Sequence, residues 1–116
     1  MLVEIEHQDG ICILRLKGRF VTGADRDYLC ERTEEIKSQS CTRVLADFRE
    51  VPYIDSTGIG FVVGLYTSIT KNMGGRFVLV GAGPRVAEVL HLTRLNTVIP
   101  MATDMEGGLA ALEPEA

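Results

Sequence analysis

The chain has 116 residues, 46% hydrophobic and 24% charged, which suits one globular domain around one hydrophobic core. Its net charge of -4, with no basic run, argues against a binder that must neutralise several phosphates of a nucleic acid. No apolar stretch approaches the roughly 18 residues of a membrane-spanning helix, and Met1-Leu2-Val3-Glu4-Ile5-Glu6 carries acids where a secretory signal would carry cations. The expectation is a cytoplasmic protein with neither nucleic acid nor membrane among its partners.

Val3, Ile5 and His7 alternate with Glu4, Glu6 and Gln8, the pattern of a half-buried edge strand. Asp9-Gly10 is a hairpin signal, and Ile11 to Leu16 reads as the returning strand, ended by Gly18. Thr22-Gly23-Ala24-Asp25 has the form of a capping box, with Thr22 as N-cap, opening a helix to about Ser38. Ala24, Tyr28, Leu29, Thr33 and Ile36 fall near one face of it. Val44-Leu45-Ala46-Asp47-Phe48 is a short apolar run and predicts a buried central strand.

A connection, Arg49 to Ile54, leads to Asp55-Ser56-Thr57-Gly58-Ile59-Gly60 and a helix to about Met73, stopped by Gly74-Gly75. Arg76 to Val80 predicts a second buried strand. Gly83-Pro84 places proline at the first position of a third helix, to about Leu92. Thr97 to Pro100 reads as a short last strand. Thr103 to Glu106 reads as a capping box for a terminal helix to about Leu112. Strands separated by single helices require parallel pairing and right-handed crossovers, and the opening hairpin adds antiparallel pairing. The fold class is therefore α/β with a mixed sheet.

Cys12, Cys30 and Cys41 are an odd number and widely spaced, so neither a disulfide framework nor a CxxC metal site is expected, and each reads as a buried or inert thiol.

The informative stretch is the helix start after the central strand. There the first backbone N–H groups lack intrahelical partners and the helix dipole is positive. Ser56 is either the N-cap or one residue inside it, beyond the carboxyl end of a strand, where open α/β sheets present their sites. Gly58 and Gly60 in the first turn cost up to ~1 kcal/mol each relative to alanine, and they allow another backbone or a modifying enzyme to approach closely. Ile59, Val62, Val63 and Tyr66 continue on one side, with Phe61 and Leu65 on another. Such a helix is either wholly buried or carries an exposed apolar patch beside Ser56. By local chemistry alone, a serine and an aspartate before a helix are most often caps.

At these residues the chain resembles the STAS family, the domain shared by anti-sigma factor antagonists and the cytoplasmic tails of sulphate transporters. Asp55-Ser56-Thr57-Gly58-Ile59-Gly60 is similar to the family signature. Val44 to Phe48, Gly74 to Val80, and Val86, Leu90 and Leu95 to Ile99 fall where the family has its flanking elements. The resemblance covers nearly the whole chain and implies a single STAS domain over 1–116, with helices packed mainly on one side of a mixed central sheet. It implies that Ser56 is phosphorylated by an anti-sigma factor with serine kinase activity, that the unphosphorylated form binds that factor, and that a serine phosphatase restores it. Asp55, Thr57, Gly58 and Ile59 would form the partner-facing loop, and Phe20, Thr22 and Asp25 would extend it. The loop Gly18-Arg19-Phe20-Val21-Thr22 departs from the family pattern, Gly-x-hydrophobic-Asp, in having Asp25 as its first acid.

Two other readings stay open. A STAS module could bind a small ligand or scaffold a complex without phosphorylation, which turns on whether Ser56 is exposed or locked as a cap. An enzyme is the weaker rival. Gly81-Ala82-Gly83 lacks the third glycine of a dinucleotide loop, since Val86 stands there and Pro84 intrudes. Ile54 occupies the place of the glycine that precedes a hydrolase nucleophile. His7 and His91 read as structural or solvent-facing, and Asp47 and Asp55 are too few for a metal site. No catalytic residue, cofactor or metal is expected.

Overall fold

A computed structural model describes residues 2–18, 26–39, 41–72 and 74–112. In chain order the elements are β1 (Leu2–Gln8), β2 (Ile11–Lys17), α1 (Arg26–Ser38), β3 (Arg43–Glu50), α2 (Ser56–Thr67), β4 (Arg76–Val80), α3 (Pro84–Leu92), β5 (Met101–Ala102) and α4 (Met105–Ala111). The five strands form one sheet in the order β1-β2-β3-β4-β5. The β1–β2 pair is antiparallel, and β2, β3, β4 and β5 pair in parallel. Asp9 and Gly10, at φ 51 and 80, make the tight turn that sets Gln8 opposite Ile11.

Alternation along the strands sorts residues between the two faces. One face of β2, β3 and β4 presents Cys12, Leu14, Leu16, Val44, Ala46, Phe48, Phe77 and Leu79 to a core shared with Leu29 and Ile36 of α1, Phe61, Val62 and Leu65 of α2, and Val86 and Leu90 of α3. The opposite face carries a smaller cluster, Ile11, Ile13, Leu45, Val78 and Val80, covered by Leu109 and Leu112 at the chain's last described turn. Gly108 of α4 lies against Leu45 and Val80, where a side chain would force α4 off the sheet. Towards β1 this second face is solvated and carries Arg15–Glu6 and Lys17–Glu4 ion pairs. The mixed sheet with helices mainly on one side is thus the observed architecture. Tyr28 of α1 reaches the outer edge of β1, where its hydroxyl accepts from the Val3 N–H at 3.0 Å and donates to the Val3 carbonyl at 3.3 Å. These contacts satisfy backbone groups that an edge strand otherwise leaves unpaired.

Four expectations need correction or fall outside the described residues. The segment read as a last strand, Thr97 to Pro100, instead begins inside a 3-10 turn at Leu95–Thr97 and runs on from it without forming a strand. Arg94 adopts φ 60, and the Leu95 carbonyl then accepts from both Val98 N–H and Ile99 N–H, which curls the chain and buries Ile99. The last strand is the shorter Met101–Ala102. The cap of the terminal helix is Asp104, whose carboxylate accepts from Gly107 N–H at 2.8 Å, one residue beyond Thr103. The reading of Cys12 and Cys41 as thiols fails, because they form a disulfide across a sequence separation of 29 residues. Parallel pairing of β2 with β3 brings the start of one strand beside the chain just ahead of the other, a proximity that spacing along the chain does not reveal. Cys30, by contrast, is a free thiol, exposed on α1. The capping box expected at Thr22 to Asp25 lies outside the described residues.

The second helix also ends differently in detail. Its α-helical part stops at Thr67, and a π-helical turn, Ser68–Asn72, follows. Gly74, at φ 66, then reverses the chain into β4.

Candidate functional site

The connection between β3 and α2 is pinned at two points. Val51 and Ile54 are buried in the main core, while Pro52 and Tyr53 between them are exposed. Val51 N–H donates to the Phe48 carbonyl at 3.0 Å, tightening the exit from β3. With Ile54 fixed, the chain emerges at Asp55 and turns directly into α2.

Asp55 is the N-cap of α2. Its extended backbone (φ -108, ψ -170) directs a carboxylate oxygen to accept from Gly58 N–H at 3.1 Å, and its carbonyl accepts from Ile59 N–H at 2.9 Å. Ser56 is therefore one residue inside the cap, and its side chain is exposed. The capping role is filled by a neighbour, so the Ser56 hydroxyl is not the group that closes the helix end. Replacing Asp55 with alanine removes this cap and is expected to lower stability by about 1 kcal/mol, read from the midpoint of urea unfolding. An unchanged midpoint would show that the cap contributes nothing.

Around Ser56 the structure brings together most of the residues named from sequence. Thr57 and Ile59 are half-buried, Ile59 packing on the main core, and Gly58 faces inward. Phe20, Thr22 and Asp25 lie outside the described residues. The last described residue before them, Gly18, donates its N–H to the Glu50 carbonyl at 3.0 Å, just before the 51–55 connection.

Two features of this surface were not singled out from sequence. Tyr53 is 41% exposed three residues before Ser56. Ser56, Gly60 and Gly64 recur at four-residue spacing and are all exposed, so they line one outward face of α2. A Cβ placed on Gly60 or Gly64 would meet no atom within 4 Å. The fold does not require glycine at either position. Half-buried Val63 flanks the bare strip, while Phe61, Val62 and Leu65 hold the opposite face against the sheet. The four-residue period was the signal available in the sequence.

Arg49 and Asp47 lie at the same end of the sheet. Asp47 is buried, and its carboxylate accepts from the Arg49 backbone N–H at 3.0 Å, from Nε at 3.0 Å and from a terminal guanidinium nitrogen at 2.8 Å. Burial works to raise the Asp47 pKa, but these hydrogen bonds and the Arg49 charge outweigh it and hold the carboxyl below its ordinary value of 3.8. The guanidinium stem packs on Gly81. Shallow depressions on either side of Arg49 reach Pro84 and Arg85 in one direction and Ala82 and Thr103 in the other. One edge of the guanidinium is held by Asp47 while the stem lies on Gly81, so Arg49 links β3 to the loop after β4.

A carboxyl whose pKa is lowered on folding stabilises the protein fully above its unfolded value and loses that contribution as pH falls through the folded value. Asp47→Asn is expected to be less stable than the parent by roughly 1–2 kcal/mol at neutral pH. The difference should persist down to about pH 4 and shrink below the ordinary carboxyl value of 3.8. Urea unfolding between pH 2 and 7 checks this, and a difference that grows on acidification would contradict it.

Among the described residues no helix is long and apolar enough to cross a membrane. The sequence model of the STAS domain matches residues 3–107. The chain is 25% identical over 111 residues to the anti-sigma F factor antagonist of Paenibacillus polymyxa, covering 96% of this chain and 94% of that protein. Among solved structures, an anti-sigma factor antagonist from Mycobacterium paratuberculosis superposes with a TM-score of 0.84 at 22% identity, covering 96% of this chain and 92% of the other. The Bacillus cell fate determinant SpoIIAA in its phosphorylated form superposes with a TM-score of 0.68 at 22% identity, covering 90% of this chain and 95% of the other. The family match spans nearly all of the sheet and its helices, including the Asp55–Ser56 helix start, and the chain belongs to the STAS domain family.

Proposed function

We propose that this chain is an anti-sigma factor antagonist, a protein-binding switch set by phosphorylation of Ser56 rather than an enzyme. The observation that carries the reading is the exposed Ser56 hydroxyl at the first position of α2, freed from capping by Asp55 and continued by the bare Gly60–Gly64 face. The Paenibacillus relative, matched over nearly its full length, is an anti-sigma F factor antagonist. SpoIIAA, which shares the fold, exists in a phosphorylated form.

In this reading the unphosphorylated protein docks an anti-sigma factor with serine kinase activity on the surface formed by Tyr53, Asp55, Ser56, Thr57, Ile59 and the glycine face, extended by the 19–25 segment. Sequestering that factor releases a sigma factor in the bacterial cytoplasm. Phosphoryl transfer to the Ser56 oxygen adds a charge of about -1.5 to -2 at pH 7. The helix N-terminus stabilises that charge by roughly 0.3–1 kcal/mol, while the Asp55 carboxylate opposes it. The fold therefore tolerates the phosphate, and a partner surface packed over Ser56 does not, because it would have to desolvate a dianion. A serine phosphatase resets the switch.

Site-mapping mass spectrometry of the protein purified from its native host, with and without phosphatase treatment, tests the reading. A phosphate on Ser56 supports it. Unmodified Ser56 across growth and stress conditions would overturn it in favour of a scaffold or ligand-binding STAS module.

A further inference from the structure

At the end of the sheet opposite Ser56, three side chains with soft or borderline donor atoms converge. Cys12 of β2 and Cys41, two residues before β3, are each only 4% exposed. His7 of β1 is directly opposite Cys12 in the antiparallel register. Its Nδ1 lies 3.5 Å from the Cys12 sulfur, and its Nε2 lies 2.8 Å from Gln39 Oε1. The three potential ligand atoms all fall within 4.8 Å of one another.

With Gln39 Oε1 facing the ring, the oxygen can only accept, so in this arrangement Nε2 donates and Nδ1 presents a lone pair. A disulfide sulfur has no hydrogen to offer, so that lone pair faces sulfur without a proton between them. A neutral imidazole held by a hydrogen bond on its far nitrogen, with the near nitrogen aimed at paired cysteines, is the arrangement found around bound zinc.

We propose that the reduced protein binds one zinc ion through Cys12 Sγ, Cys41 Sγ and His7 Nδ1, with Gln39 as the positioning residue and water in the fourth place. The disulfide is the oxidised form of the same site. A dithiol reductant supplies two electrons and two protons: the Cys12–Cys41 bond breaks, two S–H groups form, and the reductant departs as its own disulfide. Zinc(II) then displaces both thiol protons to solvent and takes the two thiolates and the imidazole nitrogen. Two thiolates balance the dication, which suits a site whose sulfurs are buried. Two sulfurs and one imidazole form a donor set that favours zinc, and exposed His7 leaves a side open for the water. In either state β1, β2 and the approach to β3 are held together, by a covalent bond between two of them or by a metal joining all three.

The site is independent of the switch proposed for Ser56. The eight residues of β3, roughly 25 Å of extended chain, separate the two.

The test uses the full chain, reduced with a phosphine, stripped of metal and titrated with cobalt(II) as a spectroscopic probe. The expected result is one equivalent bound with a thiolate-to-cobalt charge-transfer band and the visible bands of a four-coordinate ion, all bleached by zinc. Protein oxidised to the disulfide should give no such band. His7→Ala changes an exposed residue and should keep the fold, checked by circular dichroism, while weakening cobalt binding at least tenfold. Gln39→Ala should weaken it about 10-fold or more through the hydrogen bond to His7. Absence of the charge-transfer band in the reduced protein, or wild-type affinity in His7→Ala, would overturn the proposal.

Discussion

Ser56→Asp is expected to lower affinity for the anti-sigma partner by at least 30-fold, about 2 kcal/mol, with Ser56→Ala binding like the unphosphorylated parent under all conditions. The effect is large because an unpaired charge pressed against a partner surface loses its water without gaining a counter-ion, and juxtaposed like charges cost several kcal/mol. Stability should hardly move. The new carboxylate sits in the first turn of α2, where the dipole favours it, while the neighbouring Asp55 carboxylate disfavours it. Isothermal titration with the purified partner, together with urea unfolding of both variants, separates the two quantities. Equal affinity of the two variants would sink the switch. A large stability loss in Ser56→Asp would instead show that the helix start cannot hold a second negative charge.

The second large effect concerns Gly60 and Gly64, where fold and function should pull in opposite directions. Both are exposed and helical, and a Cβ at either meets nothing. Gly60→Ala and Gly64→Ala should therefore each stabilise the protein by roughly 0.5–1 kcal/mol, since alanine loses less backbone entropy than glycine on entering a helix. If the partner packs against this strip, the same positions tolerate no bulk. Gly64→Arg should then reduce partner affinity at least tenfold, about 1.4 kcal/mol, without unfolding the chain. A partner that binds Gly64→Arg as tightly as the parent would remove this face from the docking surface. Destabilisation by the alanine substitutions would show that the glycines serve the fold after all.

Much of the architecture was legible because it depends on local periodicity. Alternation at Val3, Ile5 and His7, the Asp9-Gly10 turn, the apolar runs at 44–48 and 76–80, and Pro84 at a helix start each encode their element without help from distant residues. The last strand was misplaced because Arg94 takes a left-handed conformation that no local pattern announces, and the following turn consumes Val98 and Ile99. At the terminal helix, Thr103 and Asp104 are both good caps by composition. The backbone angle at Asp104 and its bond to Gly107 N–H decide between them.

The candidate site divides in the same way. Asp55, Ser56 and the glycines were visible as a helix start with unusual composition, because capping is a contest among adjacent residues. Which of Asp55 and Ser56 caps the helix depended on burial of Val51 and Ile54, which fixes where the chain leaves the core. Cys12 and Cys41 were unreadable as a pair, since their approach comes from parallel strand pairing rather than from proximity along the chain. Local propensity and pattern thus name the elements and the helix start that presents Ser56. The local Asp9-Gly10 hairpin sets His7 opposite Cys12, but only long-range parallel pairing brings Cys41 to them, because contacts closed across loops of many residues are set by how the whole sheet packs and not by any short segment within it.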